Sequence, residues 1–197
     1  MNNLDDIWQE YITRESLNLL TLNDLIWHIE NDAKPEDAIV MATDMIVEES
    51  NNMTLKKLIP YLAKQLDHED DFVREVTVGC IVGRIKLPEY AEKALVMAKN
   101  DPYKNVRGLA ASSLGAVINK VNFVLSKQIA VYLYDVITDD IYSDLHKQST
   151  YSAILEAMEV PVNTWPPIKT NPDIQKMIDK NLLEKFKIKY NINNDAA

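Results

Sequence analysis

Cysteine is almost missing from this 197-residue chain: Cys80 stands alone. No disulfide can form within the chain, and a reducing compartment, the cytoplasm, is the expected location. Cys80 falls at an apolar position of a predicted helix and reads as a small buried hydrophobe. Glycine is scarce as well. Four residues leave little from which to build a phosphate cradle or a glycine-rich nucleotide fingerprint, and neither motif occurs, nor does a G-x-S-x-G nucleophile turn. The three histidines, His28, His68 and His146, are far apart, no Cys/His pair has zinc spacing, and no calcium loop with its glycine is present. No catalytic residue, metal or cofactor is therefore expected. No apolar run approaches the ~20 residues of a membrane span, and the acidic Met1–Asp6 stretch does not resemble a signal peptide.

Positive charge is the remaining shortage. Lys and Arg total 21 against 30 Asp and Glu, a net charge of −9. Residues 1–60 hold 4 basic and 12 acidic side chains, so this third carries a net −8 by itself. Displacing counterions from nucleic acid needs a basic stripe, and none is visible. An acidic surface attracts basic proteins instead, so a basic protein is the expected partner.

What the chain has in abundance is helical periodicity. Leu4, Ile7, Trp8, Tyr11 and Ile12 share one face of a helix over 4–20, and Leu22, Leu25, Ile26 and Ile29 share one face of the next, which Thr21 or Asn23 could cap. Pro35 suits the first turn of a third helix, with Glu36 and Asp37 favourable against its dipole and Ile39, Ala42, Met45 and Ile46 on its core side. Helices follow over 54–66, where Pro60 should introduce a bend, then over 72–86, 89–100 and 105–119; Ile129, Leu133 and Ile137, then Leu145, Tyr151, Ile154 and Leu155, carry the pattern through 125–159, and a last helix covers 173–190. The segment Val160–Pro172, with Trp165 and four prolines, is extended and stiff.

Two of these helices begin alike. Asp101-Pro102 precedes Val106-Arg107, then Ala110-Ala111 and Leu114-Gly115; Leu66-Asp67 precedes Val73-Arg74, then Cys80 and Ile81. The Val-Arg steps are 33 residues apart, the length of one helix pair. With Leu58-Ile-Pro60-Tyr-Leu62 these residues resemble HEAT repeats, in particular the short HEAT-like units of phycobilisome-lyase-type proteins. The likeness covers 54–119 and extends more weakly to 125–159, where His146 stands at the arginine position after an insertion. The resemblance implies an all-α, right-handed α-α superhelix of about four helix pairs with a C-terminal capping helix. It divides the chain into helical repeats (1–159), a proline-rich connector (160–172) and a capping helix with a frayed tail (173–197). Joined to the acidic charge and the lack of a catalytic constellation, such a scaffold leads to non-enzymatic protein binding as the expected function, of the kind an immunity or inhibitor protein uses to mask a basic effector. The alternative the resemblance suggests is an accessory lyase or isomerase acting on a bound small molecule. Iron-binding hydroxylases of the HEAT class carry several converging His-Glu pairs, whereas this chain has only His68-Glu69.

Arg74 and Arg107 are expected to form a structural ladder, each meeting an aspartate or a carbonyl of its own or an adjacent repeat. The candidate binding residues are the carboxylates at the repeat turns: Glu48 and Glu49, then Asp67, Glu69, Asp70 and Asp71, then Asp139, Asp140 and Asp144. Some of these should also cap helices. The expected core is Leu62, Leu66, Val73, Ile81, Leu95, Val106, Ala110, Leu114 and Leu133.

Overall fold

The computed structural model describes residues 1–13, 19–167 and 174–192. Helix covers 73% of the described residues, above the ~60% that the 3.6-residue periodicity implies, and these residues contain no strand. The chain forms two compact units, Met1–Ile85 and Lys86–Ala197.

The first unit contains α1 (Leu4–Ile12), α2 (Leu19–Asn31), α3 (Glu36–Glu48), α4 (Ile59–Lys64) and α5 (Asp71–Val78). The Asn3 side chain accepts from the Asp6 N–H at 2.9 Å and starts α1, with Asp5 and Asp6 in the favourable first turn. Ile7 is buried, but Ile12 is exposed, so the apolar face of α1 is shorter than the pattern predicts. The rest of the predicted 4–20 helix includes 14–18, outside the described residues. Thr21 caps nothing: α2 begins at Leu19, and the buried Thr21 hydroxyl donates to Glu10 at 2.6 Å. α2 packs on α3, with Leu22, Leu25 and Ile29 buried on the one and Ile39, Ala42 and Met45 on the other, and α3 packs in turn on α5.

Two predicted helices of this unit are remodelled. The 54–66 segment is a 3₁₀ turn (Leu55–Leu58), then α4, then a second 3₁₀ turn (Gln65–Asp67). Pro60 sits in the first turn of α4, where a missing N–H leaves no intrahelical bond unmade, so it starts a helix rather than bending one. The 72–86 helix is α-helical to Val78 and π-helical over Gly79–Arg84, closing with the Ile85 N–H donating to the Cys80 carbonyl at 2.9 Å. Cys80 is buried there, and burial pushes its thiol pKa up, which keeps it protonated and unreactive at neutral pH.

The second unit contains α6 (Ala91–Asn100), α7 (Lys104–Leu114), α8 (Phe123–Thr138), α9 (Asp144–Ala157) and α10 (Lys180–Lys189). α6 and α7 form a hairpin around the Asp101–Tyr103 turn, in which the Asp101 carboxylate accepts from the Tyr103 N–H at 3.0 Å. Asn122 and Ser143 cap α8 and α9. α7 lies on α9 at very close range: a Cβ on Gly115 would stand 2.5 Å from the Ala153 carbonyl oxygen. The predicted 105–119 helix ends as an α-helix at Leu114 and continues as turns. The predicted C-terminal helix over 173–190 is likewise divided. Asp173 lies outside the described residues, Ile174–Lys176 is a 3₁₀ turn, and Asp179 caps a separate α10 through the N–H groups of Asn181 and Leu182. The Asp179 N–H donates to the Tyr151 hydroxyl at 3.0 Å, and the Tyr190 hydroxyl donates to Asn119 at 2.7 Å, so both ends of α10 are tied into this unit. Burial raises the Tyr190 pKa to about 12, so that donor keeps its proton at any physiological pH. Of the predicted connector, 160–167 belongs to this unit, with the Trp165 indole donating to the Val160 carbonyl at 2.8 Å; 168–172 lies outside the described residues.

All nine residues of the expected core are buried, the most exposed being Leu95 at 6%. The apolar stripes thus set the registers correctly, although several helix boundaries moved.

Candidate functional site

The Val-Arg steps place their arginines alike. In the first unit Arg74 donates through Nη1 to the carbonyls of His68 (2.8 Å) and Glu69 (2.9 Å). In the second unit Arg107 donates through Nη1 to the carbonyls of Asp101 (2.6 Å) and Pro102 (3.0 Å). Each arginine therefore reaches back six and five residues and closes the turn in front of its own helix. A guanidinium suits this role, since one nitrogen presents two N–H groups to two carbonyls in a fixed plane.

The candidate carboxylates divide between the units. In the first, Glu48 accepts from the Tyr11 hydroxyl (2.9 Å) and Glu49 from Asn52 (2.9 Å). Asp67, Glu69 and Asp70 are exposed in one turn, and Asp71 opens α5 half-buried. Asp70 is the cap of that helix, accepting from the N–H groups of Phe72 and Val73. Glu75, one helical turn beyond Asp71, has its pKa raised, first by burial and then by the Asp71 charge. In the second unit Asp139 ends α8 and accepts from the Ile141 N–H, the exposed Asp140 lies 3.5 Å from the Lys147 ammonium, and Asp144 begins α9. His68 is half-buried, and its Nδ1 accepts from the Asp70 N–H at 3.0 Å.

One constellation was not anticipated from sequence. In the second unit a cleft of about 310 Å³ is lined by Lys99 on α6, Arg107 on α7, Tyr132 on α8, Tyr142 and Ser143 in the α8–α9 turn, and His146 on α9. The Tyr132 hydroxyl lies 2.9 Å from both the Ala98 carbonyl and His146 Nε2. A carbonyl can only accept, so the hydroxyl proton goes to Ala98 and His146 must donate from Nε2. The neutral ring then keeps a bare Nδ1. Burial, and after it the Arg107 charge, lowers the His146 pKa below the ordinary 6.5, so the ring is neutral at pH 7. Burial raises the Tyr132 pKa, Tyr142 adds to the effect, and Arg107 opposes it. Tyr142 stands edge-on to the His146 ring, and the Lys99 ammonium lies 5.7 Å from the centre of the Tyr132 ring. The Ser143 hydroxyl oxygen is occupied in capping α9, accepting from the His146 N–H at 3.4 Å. The cleft thus offers cationic donors, one acceptor nitrogen and aromatic walls.

The signal for this cleft lay in the repeat alignment. By sequence pattern His146 stands at the arginine position of its helix; in the structure α7 packs on α9, and Arg107 and His146 line one cleft. Tyr132 carried no local signal, because its role depends on a carbonyl 34 residues away.

Among the described residues no group of three or more His, Cys, Asp or Glu side chains could hold a metal ion, and no helix is long and apolar enough to cross a membrane. No family model, curated protein or solved structure matches the chain.

Proposed function

We propose that this protein is a non-enzymatic binding module that receives a basic partner protein on the acidic surface of its first unit. The observation that carries the reading is the outer stripe of α3. Asp37, Val40, Val47 and Glu48 recur at helical spacing on its exposed side, Val40 and Val47 are 37% and 43% exposed, and the half-buried Asp44 between them is paired with Arg84. A stripe that alternates acid with exposed valine complements a basic amphipathic segment, in which apolar contact supplies affinity and charge supplies steering. The exposed turn of Asp67, Glu69 and Asp70 adds to the same negative unit.

The scaffold is read as HEAT-like helix pairs stacked into a right-handed superhelix. The 33-residue recurrence and the identical carbonyl pairs taken by Arg74 and Arg107 support that reading. A preformed helical wall binds without a folding cost. Masking of a basic effector inside the cytoplasm, as an immunity or inhibitor protein does, is the concrete form proposed.

The test begins with a partner recovered by affinity purification from the native cell. Its association rate is measured against rising salt, for the wild type, for a Glu69→Gln/Asp70→Asn/Asp71→Asn variant, and for Val40→Ser/Val47→Ser. Asparagine at 70 keeps the helix cap, so the acidic variant changes charge with little loss of stability. The wild-type rate should fall as salt screens attraction beyond ~8 Å, the acidic variant should associate more slowly, and the valine variant should dissociate faster. A salt-independent rate that is unchanged in both variants would refute binding at this surface.

A further inference from the structure

We propose that the cleft of the second unit is a binding site for a small organic molecule bearing a single oxyanion, a carboxylate or a phosphate. This site is separate from the acidic surface of the first unit and does not depend on it. In a chain of net charge −9, the cleft is lined by two cations, Lys99 and Arg107, and by no carboxylate. Neither cation has a carboxylate within ion-pair distance among the described residues. Arg107 is half-buried and oriented by its two carbonyls, which engage only Nη1. Nε and Nη2 are left to donate, the fork that suits a planar or tetrahedral oxyanion. Lys99 adds a second positive charge beside the Tyr132 ring.

The geometry also limits the ligand. A volume of about 310 Å³ exceeds what a bare inorganic anion needs, and the Tyr132 and Tyr142 rings with Ile141 supply walls for a compact apolar body. An adjoining recess that shares Tyr142 is lined by Asp135, Asp139 and Asp140. A second negative group on the ligand would be repelled there, so the body beyond the oxyanion carries no further negative charge.

Benzoate and phenyl phosphate serve as probes, with benzamide as the neutral molecule of the same shape. Each is titrated into the full chain at pH 7 while the ring resonances of His146, Tyr132 and Tyr142 are followed by NMR, with His28 and His68 as internal references. One or both anions should shift the cleft resonances saturably in the millimolar range and leave the references in place; their relative affinity decides between carboxylate and phosphate. Benzamide should bind at least tenfold more weakly. Arg107→Gln also releases the turn carbonyls, so it is read beside Lys99→Gln, which alters an exposed side chain that makes no hydrogen bond among the described residues. Lys99→Gln should weaken anion binding about tenfold, and Lys99→Arg should restore it. The proposal is overturned if benzamide matches the anions, if no saturable shift develops up to about 20 mM probe, or if Lys99→Gln binds as the wild type does.

Discussion

Replacing Gly115 by alanine sets two opposite effects against each other, and the structure decides between them. Gly115 ends α7 with φ −57° and ψ −36°, ordinary right-handed helical angles that alanine adopts freely. On backbone grounds alone, alanine would stabilise by about 0.4–1 kcal/mol, because the unfolded chain loses freedom. Packing opposes this. The new Cβ would stand 2.5 Å from the Ala153 carbonyl oxygen, 2.7 Å from its Cα and 2.9 Å from its carbonyl carbon. All three are backbone atoms of α9 and none can rotate away, so α7 and α9 must part by close to 1 Å to reach ordinary carbon contact distances of ~3.5–4 Å. Forced overpacking of this kind costs about 1–3 kcal/mol. The net expectation is a loss of about 1–2 kcal/mol, or a melting temperature lower by about 2–8 °C for a chain of this length. Gly108, two turns earlier on the same helix, is the control. A Cβ there meets the Ser149 hydroxyl at 3.3 Å, a side-chain atom that can swing aside, so Gly108→Ala should be neutral or stabilise by up to ~1 kcal/mol. Urea denaturation of the two variants, with m-values compared, separates the cases. A Gly115→Ala variant as stable as the wild type would show that α7 and α9 are not as close as the structure places them.

Two further predictions concern acid sensitivity and a helix end. His146 has its pKa lowered in the folded state, so the native protein binds fewer protons there than the unfolded chain; its contribution is intact above pH 6.5 and is lost as pH falls through the lowered value. At His28 burial opposes the charge, but the Asn2 carbonyl, Asp32 and Asp24 outweigh it and raise the pKa, so its contribution is full below 6.5 and is lost as pH rises through the raised value. Between pH 7.5 and 5, the urea midpoint of His146→Gln should therefore fall less than that of the wild type, and that of His28→Gln should fall more; identical slopes for all three would contradict both assignments. Glu159 holds φ 57° after α9, where its N–H donates to the Glu156 carbonyl and the Val160 N–H to the Leu155 carbonyl. Glycine is the favoured residue at this left-handed position, so Glu159→Gly should raise stability by about 0.5–1 kcal/mol in thermal or chemical denaturation, whereas a loss would mean that the Glu159 side chain contributes more than its backbone costs.

The helical character of the chain and its buried face were written in the sequence. Leu62, Val73, Ile81, Val106, Leu114 and Leu133 follow a 3.6-residue period, and burial of such a stripe needs no knowledge of the neighbour that covers it. For Arg74 and Arg107 the sequence left open an aspartate or a carbonyl, of the same or an adjacent repeat; both take carbonyls of their own turn, five and six residues back. The breaks inside helices were less legible. Pro60 read as a bend because its position relative to the helix start depends on where the preceding 3₁₀ turn ends, and the π-helical turn at Gly79–Arg84 has no local signature.

Tertiary structure alone decided the closeness of α7 and α9 at Gly115 and the cleft built from Lys99, Arg107, Tyr132, Tyr142 and His146. Those side chains come from four helices and a turn, and periodicity along one helix says which face is buried but not which residues of another helix stand opposite. The Tyr132 hydroxyl shows the reason most plainly. Its partners are the Ala98 carbonyl and the His146 ring, and only the packing of α6, α8 and α9 brings a donor, an acceptor and a titratable ring within hydrogen-bond distance.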